Sequence, residues 1–135
     1  MPAAVRDLLQ RYFQALNDRD ARACLALVSA DVTLEPNQGF VEHGREAFAA
    51  YLERHMRCYR ESLEQLVILT EPDGRHAACE YRVQGEYLAT DEGLPEACGQ
   101  RYEARVGAFF EMQDGLISRI SLHFNLPDWL AQVDD

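Results

Sequence analysis

Val5, Leu8, Leu9, Tyr12, Phe13 and Leu16 recur at the spacing of one helix face, which predicts an amphipathic N-terminal helix. Asn17-Asp18-Arg19-Asp20 interrupts that stripe, and Asp20 is placed to cap a second, shorter helix over residues 21–28. Val32-Thr33-Leu34-Glu35 reads as a strand stopped by Pro36, which cannot donate to a sheet ladder. Asn37-Gln38-Gly39 reads as a turn and Phe40-Val41-Glu42 as a short return strand. A third helix is predicted from about Arg45 to Tyr59, with Phe48, Tyr51, Leu52, His55, Met56 and Tyr59 at helical spacing.

Beyond Tyr59 the period changes from that of a helix to that of a strand. Leu66–Thr70 forms one predicted strand, and Pro72-Asp73-Gly74 turns it. The next strand runs from about His76 to Leu88. Ala77, Cys79, Tyr81, Val83 and Gly85 share one side of it, and Glu80, Arg82, Gln84 and Glu86 the other. Residues 89–99 are rich in turn formers. Strands follow over 100–111 and 116–125, separated by Gln113-Asp114-Gly115, and the last sets Ile120, Leu122 and Phe124 against Arg119, Ser121 and His123. The tail Leu126-Pro127-Asp128-Trp129-Leu130 predicts a short cap that tucks Trp129 against the body. Helices grouped early and hairpins grouped late indicate an α+β fold, with a curved, mixed or antiparallel sheet wrapped around the N-terminal helices.

The 135 residues suit a single domain, and no apolar run approaches the roughly 20 residues that span a bilayer. The N-terminus lacks the basic segment and apolar core of a secretory signal, so a cytoplasmic location is the expectation. A net charge of −10 argues against a nucleic-acid partner, because Lys and Arg supply most phosphate affinity. All 13 basic residues are arginine, which excludes a Schiff-base lysine. Cys24, Cys58, Cys79 and Cys98 form no C-x-x-C pair and read as four reduced thiols. Dinucleotide, phosphate-loop, serine-hydrolase and zincin motifs are missing, so neither cofactor nor metal is expected.

Glu35 is the leading candidate for chemistry. A carboxylate between apolar neighbours and a proline is expected to face a pocket, where desolvation raises its pKa and makes it a usable base; the alternative is a strand-end carboxylate paired with Arg45 or exposed to solvent. Tyr12 lies on the buried stripe of its helix, available for packing or for donating to a ligand. His55 reads as a packed or pocket-lining histidine, and Phe40, Tyr51, Tyr81, Phe110 and Phe124 as pocket wall. Glu80, Arg82, Glu86, Arg101, Glu103 and Arg105 read as cross-strand charge ladders on a solvated or dimer-facing sheet surface.

With Arg11-Tyr12-Phe13, Leu34-Glu35-Pro36 and His43-Gly44-Arg45-Glu46 in this order, the chain resembles the nuclear transport factor 2-like superfamily over essentially its whole length. Its likeness is greatest to the SnoaL-like and ketosteroid isomerase-related branches. Gly93-Leu94-Pro95, Gly107-Ala108-Phe109-Phe110 and Phe124-Asn125-Leu126-Pro127-Asp128-Trp129 resemble the latter group. The resemblance implies a cone-shaped scaffold that hosts isomerases, cyclases, epoxide hydrolases, dehydratases and non-enzymatic carriers. By that resemblance Tyr12 matches the oxyanion-hole tyrosine of a ketosteroid isomerase and Glu35 its base. Val106 stands where such an enzyme has its protonated partner acid, and Asn125 where a SnoaL-like cyclase has its acidic residue. The expectation is a small apolar, carbonyl-bearing ligand, handled by an isomerase- or cyclase-type proton transfer with Glu35 as base, Tyr12 as donor and Asn125 assisting. A non-catalytic ligand-binding or protein-interaction module is the alternative, and a homodimer joined by polar sheet faces is compatible with both.

Overall fold

The computed structural model describes residues 2–37 and 39–134. It contains helices α1 (Pro2–Asn17), α2 (Ala21–Leu25), α3 (Arg45–Cys58) and α4 (Leu126–Val133). The strands are β1 (Val28–Glu35), β2 (Glu42–His43), β3 (Tyr59–Thr70), β4 (His76–Tyr87), β5 (Gln100–Gln113) and β6 (Leu116–Phe124). They form one six-stranded sheet in the order β2-β1-β6-β5-β4-β3. Pairing is antiparallel except between β1 and β6, which run parallel. The fold is therefore α+β with a mixed sheet. No helix is long and apolar enough to cross a membrane among the described residues.

Local chemistry explains most of the boundaries. The α1 stripe is buried from Val5 to Phe13, with Leu16 partly so. Asp20 caps α2 by accepting from the Ala23 amide. That helix stops at Leu25 and does not reach residue 28, because Val28 enters β1 opposite Ile117 and buries completely there. Asp114 and Gly115 both take positive φ in a two-residue hairpin, the backbone that a twisted antiparallel pair favours. The return strand is shorter than expected: only Glu42 and His43 pair with β1, leaving Phe40 68% exposed. Of the predicted 37–39 turn, Gln38 lies outside the described residues.

The largest difference lies in β3, which begins at Tyr59, not Leu66. Arg60, Glu61, Glu64 and Gln65 dilute the apolar alternation there, and a bulge at positive-φ Gln65 shifts the register between Glu64 and Val67. Helix α4 tucks Trp129 into the body as predicted. Trp129 meets Tyr59, Tyr87 and Tyr102 edge-on, with ring centroids 5.2 to 6.1 Å away.

Candidate functional site

The inner sheet face, α1, α3 and the 88–99 segment leave a cavity of about 700 Å³ between them. Its floor is apolar: Phe13, Phe110, Val106, Leu122 and Phe124. One wall is not. His55, in the last turn of α3, meets Glu61 near the start of β3 with Nε2 and Oε1 2.9 Å apart. The other oxygen of Glu61 accepts from the Tyr102 hydroxyl at 2.6 Å. All three residues line the cavity.

Backbone register builds this row. Glu61 pairs with Gly85, and Gly85 pairs with Tyr102, so the three lie side by side across β3, β4 and β5. Gly85 has no side chain to separate its neighbours. A Cβ there would sit 2.2 Å from carbons of the Tyr102 ring. The glycine lets the phenol lie across the middle strand and reach the carboxylate.

The surroundings of each partner favour the charged form of the pair. Burial pulls the His55 imidazole down, but the charge and hydrogen bond of Glu61 outweigh it, and the pKa ends above the usual 6.5. Burial pushes Glu61 up, but His55, the Tyr102 hydroxyl and the Arg19 charge together hold it below 4.5. Both shifts favour an imidazolium beside a carboxylate over two neutral partners. Nε2 is taken by Glu61, which leaves Nδ1 as the nitrogen free to exchange a proton with a ligand.

A second polar station lies on the same wall. Asp91, in the 88–99 segment, accepts from the Tyr59 hydroxyl at 2.8 Å and pairs with Arg54 at 3.5 Å. Tyr12, Tyr51 and Tyr81 line the cavity too, and their hydroxyls make no hydrogen bond among the described residues. Burial pushes all three phenols upward, so they remain protonated donors. The Cys24 and Cys79 thiols are likewise pushed up by burial, to about 12, which keeps them from acting as thiolates. No group of three or more metal-ligating side chains forms among the described residues.

Seven of the candidates named from sequence line the cavity: Tyr12, Phe40, Tyr51, His55, Tyr81, Phe110 and Phe124. Glu35 does not. Val32 and Leu34 point inward and are buried, and the two-residue alternation of a strand turns Glu35 to the outer face. There Arg119 donates to it at 2.7 Å from one nitrogen and 3.1 Å from another. Its pKa is lowered, by hydrogen bonding to Ser121 and by Arg119, where a raised value was expected. Asn125 is the other correction. It caps α4, accepting from the Asp128 amide at 3.0 Å, and does not line the cavity. Glu61, Asp91 and Arg19 were missed because their segments carry no clear helical or strand period in the sequence; Tyr59 was placed at the end of the third helix and Tyr102 in the 100–111 strand, with nothing to mark either as part of the site.

Residues 9–120 match the SnoaL-like domain family. The chain belongs to this family. Solved structures resemble it closely. A candidate polyketide cyclase of Pseudomonas putida KT2440 is 46% identical, with a TM-score of 0.94 over 96% of this chain and 97% of that one. Another, from Xanthomonas campestris pv. campestris, is 43% identical over 98% of both chains, also at 0.94. An NTF2-like protein of Burkholderia xenovorans LB400 shares the fold alone: 14% identity, TM-score 0.78, over 98% of this chain and 97% of that chain. No curated protein matches the chain. The SnoaL-like domain thus sits on a nuclear transport factor 2-like scaffold, as its sequence resemblance implied.

Proposed function

We propose that this chain is a cofactor-independent acid–base enzyme of the cyclase or isomerase type, acting on a small, mostly apolar, carbonyl-bearing molecule. The observation that carries the reading is the hydrogen-bonded row His55–Glu61–Tyr102 opening into an apolar cavity. The names of the close relatives support the reaction type. In this reading Tyr12 donates to the carbonyl oxygen and lowers the barrier to removing the adjacent proton. His55, in its neutral form with Nε2–H donated to Glu61, accepts that proton at Nδ1 and later returns it to the product, while Glu61 orients the ring and stabilises the imidazolium that forms. Tyr102 holds Glu61 in turn.

Proton exchange next to a carbonyl is directly measurable. Model 1,3-diketones incubated in heavy water should gain deuterium faster with the protein than without it, read by mass spectrometry. His55→Gln and Glu61→Gln should each lower that rate by about 10²- to 10⁴-fold, the usual contribution of a positioned acid or base. Wild-type rates in both folded variants would remove the pair from the mechanism. A second reading, a binding pocket without chemistry, is favoured by the depressed pKa of Glu61, which makes that carboxylate a poor proton acceptor. Ligand binding with no exchange above background selects it.

A further inference from the structure

Arg19 occupies a position at which a side chain is costly. Helix α1 ends with the Asp20 amide bonded to Ala15 and the Arg19 amide bonded to Leu16, and Arg19 itself takes a φ of 56°. This is the left-handed helix stop that glycine usually fills, and a residue with a Cβ loses about 1–2 kcal/mol there. The arginine lines the cavity. Its guanidinium donates to the carbonyl of Tyr59 at 2.9 Å and to that of Met56. Those carbonyls bracket the junction where α3 becomes β3, with His55 just before it and Glu61 just after. Nearby, the Asn17 side chain both donates to and accepts from the Leu63 backbone, at 3.0 and 2.7 Å. The α1–α2 turn therefore grips β3 at two points. Arg19 has no carboxylate within salt-bridge distance among the described residues, so its charge is left to act on the cavity it lines.

We propose that Arg19 is a positioning residue for the acid–base pair: its guanidinium clamps the α3–β3 junction and thereby sets His55 against Glu61. The inference rests on the assignment of His55 and Glu61 as the working pair. A plain clamp would affect stability alone. A positioning residue also affects how the pair titrates. The groups facing Glu61 are His55 and Tyr51 from α3, Tyr81 from β4, Tyr102 from β5 and Arg19; those facing His55 are Glu61, Asp91 and Arg54, with the Tyr51 and Tyr59 rings packed against it. Of these, Arg19 is the one whose replacement by glycine relieves backbone strain while deleting a charge.

The test is an NMR titration of the Glu61 carboxyl carbon and the His55 ring in the ligand-free, full-length chain. Arg19→Gly should stay folded, and its Glu61 should titrate at higher pH than in the wild type, with a weakened His55 contact. Arg19→Lys, which restores the charge without the planar fork, should return the Glu61 titration part of the way. Arg19→Gln is neutral, keeps part of the stem, and is read in the same way as the glycine variant. Folded Arg19→Gly or Arg19→Gln protein with wild-type titrations overturns the proposal. So does loss of folding in both neutral variants, which would make the arginine a structural clamp only. Because the titration does not depend on turnover, a catalytically idle pair and a misassigned Arg19 give different results.

Discussion

The hydrogen bond between His55 and Glu61 couples two titrations of opposite sign to folding. A histidine with a raised folded pKa stabilises fully below its unfolded value of 6.5 and loses that contribution as pH rises through the folded value. A carboxylate with a lowered folded pKa stabilises above 4.5 and loses that as pH falls through its folded value. The pair therefore contributes most between pH 4.5 and 6.5. Thermal melts should show the gap between wild type and Glu61→Gln widest in that window, narrowing on either side. Gly85→Ala offers a sharper probe, since the added methyl must displace the Tyr102 ring from Glu61. Urea unfolding should show a loss of about 1–3 kcal/mol from overpacking. Adding Tyr102→Leu should recover part of it, because the methyl then has room. At this scale the sequence misled in an instructive way. The search for a carboxylate among apolar neighbours was sound, but Glu35 follows an inward Leu34 and so must face outward. Glu61 alternates with Tyr59 and Leu63 on one strand face, the pattern that was sought, and it was hidden only because the strand was begun seven residues late.

Element boundaries failed where two principles compete. Helical spacing carries through Val28, yet that residue gains more by pairing with β6 than by another turn of α2. Charged residues hid the first half of β3, because its outer face is solvated and its inner face holds Glu61. By contrast, α1, α3, the long hairpins and the terminal cap were legible, since each follows a clear period or carries a strong turn signal. Helix α4 is more than a lid on the sheet end. Gln132 exchanges two hydrogen bonds with the Glu103 backbone, at 2.9 and 2.8 Å, fastening the helix to β5 beside Tyr102. Trp129→Ala should therefore cost about 3–5 kcal/mol, the range for emptying a large aromatic site, measurable by chemical denaturation. Tyr102 would lose a packing partner, so the Glu61 titration should shift upward in the same variant.

The whole molecule has two unlike sheet faces. The inner one is committed to α1, α3 and the cavity. On the outer one, cross-strand pairing lines up Leu69, Ala78, Phe109, Ser121 and Glu35 in a single row. Leu69 is 64% exposed and Phe109 48%, large apolar groups with no helix over them. The homodimer expected from the sequence would have this face as its natural seam. Light scattering should give twice the mass of one chain, and Phe109→Glu should return it to a single chain. A wild-type monomer at micromolar concentration would count against the pairing.

Trp129 is the sole tryptophan of the chain and borders the cavity while shielded from water. Its emission should begin blue-shifted and be quenched or displaced by whatever enters beside it. The protein thus carries its own optical gauge of occupancy, and unlabelled compounds can be surveyed in a cuvette before any reaction is known. Candidates that leave the signal flat at millimolar concentration can be set aside.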